Sequence, residues 1–215
     1  MTQPFHKFIQ KLSTTSVPPN VYNQYSNQYP ESKVRQENLL LYLKQMSVLT
    51  PKLMLVGEAP GYRGSRLTGV PFTSEYLLQH NMPGLTLFGE EKGYHLPVQK
   101  AKLLKEATAT IIWSTLIELD LMVLSWNAFP FHPHKISNAT SNRPPLKKEL
   151  ELGEPFLLEL IRLFEIETVI AMGNKAYESL NRLGIDCQKV RHPAQGGKNQ
   201  FVSGMTEIHQ QLQLK

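Results

Sequence analysis

Three short apolar runs constrain this chain more than any other feature. They occupy residues 53 to 56, 121 to 126 and 168 to 172, reading LMLV, LMVLSW and TVIAM. Each is too short for a helix of its own and each is closed by a turn residue, so each reads as a buried strand. Residues 185 to 190 form a fourth strand, broken by Arg191-His192-Pro193. Longer helical patterns alternate with them. One spans 99 to 118 through Leu103, Leu104, Ile111, Ile112, Leu116 and Ile117. Residues 146 to 164 read as one or two helices, interrupted near Gly153 and Pro155. Another helix at 175 to 183 has Asn174 as its cap and stops at Gly184, and a last one covers 201 to 213. Strands alternating with helices predict a parallel sheet with helices on both faces. Right-handed crossovers then collect the strand ends on one rim. That rim carries Glu58, Asn127 and His192, each after a separate strand.

The N-terminal part is less regular. Residues 1 to 12 predict a short amphipathic helix with Phe5, Phe8, Ile9 and Leu12 on one side. Residues 13 to 33 are rich in Ser, Pro, Asn and Gln, with Val21, Tyr22, Tyr25 and Tyr29 among them. They fit a disordered arm or a wrap that lays aromatics on the core. Residues 34 to 47 read as a helix through Leu39, Leu40, Leu43 and Met46, residues 76 to 79 as a short one, and residues 80 to 97 as a long loop. The division expected is an N-terminal arm at 1 to 33 and a single α/β domain at 34 to 215.

The densest stretch is residues 53 to 75, LMLVGEAPGYRGSRLTGVPFTSE. It breaks at Gly57 into a turn holding Glu58, Ala59, Pro60 and Gly61. Strand tips of this kind are where open α/β sheets place ligands. A plain strand-to-loop turn with a surface glutamate explains the stretch equally well. The chain has 23 basic and 18 acidic residues, and a net charge of +5 is compatible with a polyanionic partner. One cysteine, Cys187, rules out an internal disulfide, a Cys-rich zinc site and an iron–sulfur cluster held by this chain's own thiolates. The N-terminus lacks a signal-peptide core, and no run approaches the ~18 apolar residues of a membrane span. The expectation is a soluble monomer without cofactor or metal, intracellular and either cytoplasmic or nucleoid-associated. His132, His134 and His95 lack further metal ligands at a recognisable spacing, and loop packing explains them. Ser114, Ser125 and Ser203 have no nucleophile-elbow context, and no P-loop is present.

Three separated blocks resemble the uracil-DNA glycosylase superfamily. The first is VGEAPGYRGSRLTGVPFTSE, similar to the first motif of its GEAPG-type branches. The second is LSWNAFPFHP followed by SNRPP at 141 to 145. The third is RHPAQGGKNQF, similar to the family's His-Pro loop. The resemblance covers roughly residues 50 to 205. It implies a three-layer αβα sandwich around a four-stranded parallel sheet, and excision of uracil from a nucleotide flipped out of DNA. An inactive nucleic-acid- or base-binding protein of the same fold is the alternative.

The resemblance also implies roles. Asn127 matches the asparagine that reads uracil, whose amide can donate to O4 and accept from N3–H at once. Phe72 matches the aromatic under the flipped base. His192 matches the histidine facing uracil O2, where a donor stabilises the charge left on the departing base. A carboxylate orients the water, with Glu58 favoured and Glu75 held close behind. Gly57, Ala59, Pro60 and Gly61 line the base pocket. Arg191, Pro193, Gln195, Gly196, Gly197 and Lys198, with Asn142 and Arg143, contact DNA, and Gln195 offers only a weak wedge. The chain departs from the patterns of the family's branches in three respects. It lacks the cluster cysteines, with PFHPH standing where one is expected. RGSR occupies the span where an acidic residue is usual. Gly61 stands where the best-known branch has a tyrosine that rejects thymine, a task open to Tyr62.

Overall fold

The computed structural model describes residues 3–98 and 101–214. In chain order the elements are α1 (Gln3–Thr14), β1 (Val21–Tyr22), α2 (Ser32–Leu49), β2 (Leu53–Gly57), α3 (Ser65–Thr68), α4 (Glu75–His80), α5 (Ala107–Glu118), β3 (Val123–Asn127), β4 (His132–Pro133), α6 (Lys147–Leu163), β5 (Thr168–Met172), α7 (Asn174–Arg182), β6 (Cys187–Val190) and α8 (Lys198–Gln213), with a 3₁₀ turn at Glu90–Lys92. They fall into two compact units. One holds Met1–Leu49, Ala59–Glu106 and Phe131–Pro144, the other Thr50–Glu58, Ala107–Pro130 and Pro145–Lys215.

The second unit contains the four-stranded sheet in the order β3-β2-β5-β6, every pair parallel. Strands β2, β3 and β5 bury nearly every side chain. Parallel strands covered on both faces must be apolar throughout, which is why these three read as continuous runs. Strand β6 lies at the edge and buries only Val190, so Gln188 and Lys189 are tolerated there. From β2 the chain moves outward to β3, then returns to the other side for β5 and β6. The order therefore reverses between β2 and β5, and the crevice above such a reversal is where ligands bind in open α/β sheets.

Several boundaries differ from the sequence expectation. Strand β3 starts at Val123, because the Leu121 N–H closes α5 on the Leu116 carbonyl. Likewise β6 starts at Cys187, as the Ile185 N–H goes to Leu180. Helix α6 is one unbroken helix. Burial of Leu150, Phe156, Leu157 and Leu160 outweighs the ~3 kcal/mol a proline costs inside a helix. Gly153 is required there, since a β-carbon would collide with the Ala128 carbonyl. Helix α7 is capped by Gly173, at φ +93°, and Asn174 is its first residue. Helix α8 begins at Lys198 and absorbs the end of the predicted glycine loop.

The first unit packs α1 on α2, with Phe5, Phe8, Ile9 and Leu12 buried as their spacing predicts. The expected helix at 99 to 118 shortens to α5. Residues 99 and 100 lie outside the described residues, and Leu104 lies outside any helix, bonded to the start of α4. Tyr76 N–H donates to the Leu104 carbonyl, and Leu104 N–H donates to the Glu75 carboxylate. Of the two readings of residues 13 to 33, the wrap holds. Strand β1 pairs antiparallel with β4, and Tyr25 is buried with its hydroxyl donating to the Gly69 carbonyl at 2.8 Å. Buried Arg35 donates to Leu67 O and Tyr22 Oη, and the Asn38 amide donates to Thr68 O and His95 O. Together these bonds pin the segment from Leu67 to Gly69.

Candidate functional site at the sheet rim

The strand ends of the second unit continue their ladders into the loops above. Asn127 ends β3 beside Gly57 of β2. Ala128 N–H then donates to Gly57 O at 2.8 Å and Phe129 N–H to Glu58 O at 3.0 Å. Across the reversal point, Gly173 N–H donates to Val190 O at 3.0 Å, which ties the tip of β5 to the segment entering His192.

These bonds place the three rim residues. Half-buried Glu58 turns its carboxylate to the start of α7, where Oε1 accepts the Lys175 N–H at 3.3 Å. The free N–H groups of a helix N-terminus favour an anion there. A β-carbon on Gly173 would sit 2.7 Å from Glu58 Oε1 and 3.5 Å from the His192 β-carbon, so both side chains flank this glycine. His192 Nδ1 accepts the Ala194 N–H at 3.1 Å, which leaves the proton on Nε2 as a donor. Burial, helped by the nearby Arg191 charge, holds its pKa below the ordinary histidine value. Asn127 is 4% exposed, and its side-chain amide has no hydrogen-bond partner among the described residues. Buried amides are normally satisfied, so this one is available to a ligand.

The loop after His192 is short and tightly folded. Pro193 and Gly197 are buried while Arg191, Gln195, Gly196 and Lys198 are exposed. Gln195 and Gly196 take φ +53° and +76°, and both are exposed. Gly197 packs against the His192 carbonyl where a β-carbon would clash. Lys198 instead helps line a groove of about 470 Å³ with α5 residues Ser114 and Glu118, which contains none of the three rim residues.

The remaining candidates lie in the first unit. Ala59 and Gly61 are half-buried and Pro60 is buried. Phe72 is 7% exposed and held at φ +54°. That backbone region is costly for phenylalanine, and it persists only where the surroundings impose it. Here Thr68 and Thr73 join hydroxyls at 2.6 Å and Thr73 also donates to Val70 O. Glu75 is buried with Oε2 on the Leu104 N–H. Asn142 Oδ1 accepts the Tyr62 N–H at 2.9 Å and so fastens the Gly61 turn. The Arg143 guanidinium donates to the carbonyls of His134, Pro144 and Asn20.

Two features are not readable from the sequence. Gly173 directly follows a strand, which is a signal, but nothing local indicates its contact with Glu58. His132 fits plain loop packing by its sequence context. It is in fact fully buried, and its Nδ1 lies 2.7 Å from Pro60 O. Desolvation, with lesser contributions from Arg66 and His134, lowers its pKa to about 4. An unfolded histidine titrates near ~6.5 and takes up a proton that the folded one refuses, so folding stability is lost as pH falls from ~6.5 towards 4, by at most ~1.4 kcal/mol per pH unit. We expect His132→Asn to flatten this limb in urea titrations at pH 7, 5.5 and 4.5. Among the described residues no group of three or more His, Cys, Asp or Glu side chains is placed to hold a metal, and no helix is long and apolar enough to cross a membrane.

A four-stranded parallel sheet flanked by helices, with a carboxylate, an amide and an imidazole at its strand ends, defines the class as a layered α/β protein. The family model of the uracil DNA glycosylase superfamily matches residues 43–212, and the chain belongs to this superfamily. The match does not distinguish the GEAPG-type branch. The crystal structure of wild-type SMUG2 from Pedobacter heparinus superposes over 100% of both chains with a TM-score of 0.64 and 17% identity, a likeness of fold. A search of curated proteins gives no match.

Proposed function

We propose that this protein is a monofunctional DNA glycosylase that hydrolyses the N-glycosidic bond of uracil, or of a related deaminated base, flipped out of DNA. Family membership supports the general activity. The observation that carries the finer reading is the uncommitted Asn127 amide on the same rim as His192 Nε2–H and the Glu58 carboxylate. In this reading Asn127 reads the O4 and N3–H edge of the base. His192 donates to O2 as charge builds on the leaving pyrimidine. Glu58 orients the attacking water and steadies the cationic sugar. Phe72 stacks on the base, and its strained backbone supports a functional position. Arg191 and the Pro193–Gly197 turn meet the DNA, with Gln195 at the tip. Asn142 and Arg143, expected from the sequence to contact DNA, also fasten the loops in which they sit.

A second reading, a base- or DNA-binding protein without catalysis, draws on the same turn. It has no large apolar wedge before Phe201, which is fully buried in α8. One assay separates the two. A duplex carrying a single uracil is incubated with the protein and then treated with alkali. The enzyme reading expects strand scission that Asn127→Ala slows ~5- to 150-fold, the effect of removing a bidentate pairing worth ~1–3 kcal/mol. Binding without scission on uracil, hypoxanthine and xanthine substrates would establish the second reading instead.

A further inference from the structure

A groove of about 640 Å³ in the first unit is lined by basic side chains. Arg63, His80, Lys102 and Lys105 line it together with exposed Tyr76, and among the described residues no carboxylate does. Its floor is held by the backbone bonds between Tyr76, Leu104 and the Glu75 carboxylate, so Glu75 is turned inward. The Glu106 carboxylate lies against Gly64. Lys105 Nζ stands 3.8 Å from the Tyr76 ring centre, and the His80 ring centre is 4.9 Å from it. Arg63 rests on the Tyr62 ring at 5.2 Å. Arg63 and Lys105 are thus set on aromatic rings. Among the described residues Arg63, Lys102 and Lys105 have no ion-pair partner.

Fixed, unneutralised cations along one groove suit a chain of evenly spaced negative charges. We propose that this groove holds the phosphodiester backbone of DNA. The inference rests on DNA being the substrate. It predicts a sequence-blind contribution to binding, because phosphate contacts carry no base information.

The test measures affinity for an undamaged labelled duplex between 50 and 200 mM salt. The triple variant Arg63→Gln, Lys102→Gln, Lys105→Gln is compared with Lys7→Gln, Lys33→Gln, Lys92→Gln, which removes equal charge outside the groove. Every phosphate left without its cation lowers the slope of log K against log salt by ~0.9, so the groove variant should drop by up to ~2.7 and the control by almost nothing. Exchanging the groove cations Arg for Lys and Lys for Arg should retain the slope. An unchanged slope in the groove variant, an equal fall in the control, or displacement by polyglutamate as effective as by DNA would overturn the proposal. No uracil is needed, so an absence of excision would refute the enzymatic reading while leaving this measurement decisive. Excision by a protein whose groove variant keeps the wild-type slope would refute the groove alone.

Discussion

Glu58→Gln is expected to slow base release by ~10²–10⁴-fold in single-turnover excision, the usual contribution of a positioned proton-handling group, with little change in affinity for uracil-containing DNA. The substitution is chosen for what it keeps. A glutamine carbonyl can still accept the Lys175 N–H that Glu58 Oε1 now accepts, and its volume is nearly the same. Only the negative charge is removed, so a large rate effect would report charge and not packing. Glu75→Gln is the matching control. Its carboxylate holds the Leu104 N–H beside α4, and its replacement should lower stability more than turnover. A Glu58→Gln protein within tenfold of wild type would remove Glu58 from the water side and turn attention to Glu75.

His192→Ala should cost ~10²–10³-fold in the rate of uracil release, the cost of removing one aimed donor from a developing oxyanion. The pH profile sharpens the test. Burial lowers the His192 pKa, so the ring stays neutral, with its proton on Nε2, at pH values where an ordinary histidine would already be partly charged. Wild-type activity should therefore hold steady as pH falls through ~6.5 and decline only below it. The decline has a structural cause. Protonation converts Nδ1 from the acceptor of the Ala194 N–H into a second donor, and the turn loses its anchor. The same preference for the neutral ring contributes stability that is present above the unfolded pKa and lost as pH falls below it. In His192→Ala the acid limb assigned to this group should vanish. An alanine variant with wild-type rate, or one that keeps the limb, would show that another donor faces the base.

Gly173 connects these two expectations, because it is the joint between Glu58 and His192. It also bears on what was legible in advance. Strands β2, β3 and β5 were legible because a strand buried on both faces has to be apolar along its whole length. The places of Glu58, Asn127 and His192 at strand tips followed, since a turn residue ends each run and parallel connections gather the tips on one rim. Composition settled less: one cysteine removed cysteine-held clusters, and the basic balance only permitted a polyanion.

Hydrophobic periodicity and turn chemistry act over a few neighbouring positions, so the order of residues is enough to set which of them end the strands of the sheet. What those residues touch depends on the packed chain. The Lys175 N–H that holds Glu58 lies 117 positions away in the chain, and the carbonyl that makes Gly153 necessary belongs to a loop outside its own helix. His132, which reads as ordinary loop packing, becomes a buried neutral ring on the Pro60 carbonyl 72 positions away. Contacts of that separation are set by how layers pack, and no local pattern of residue types records them.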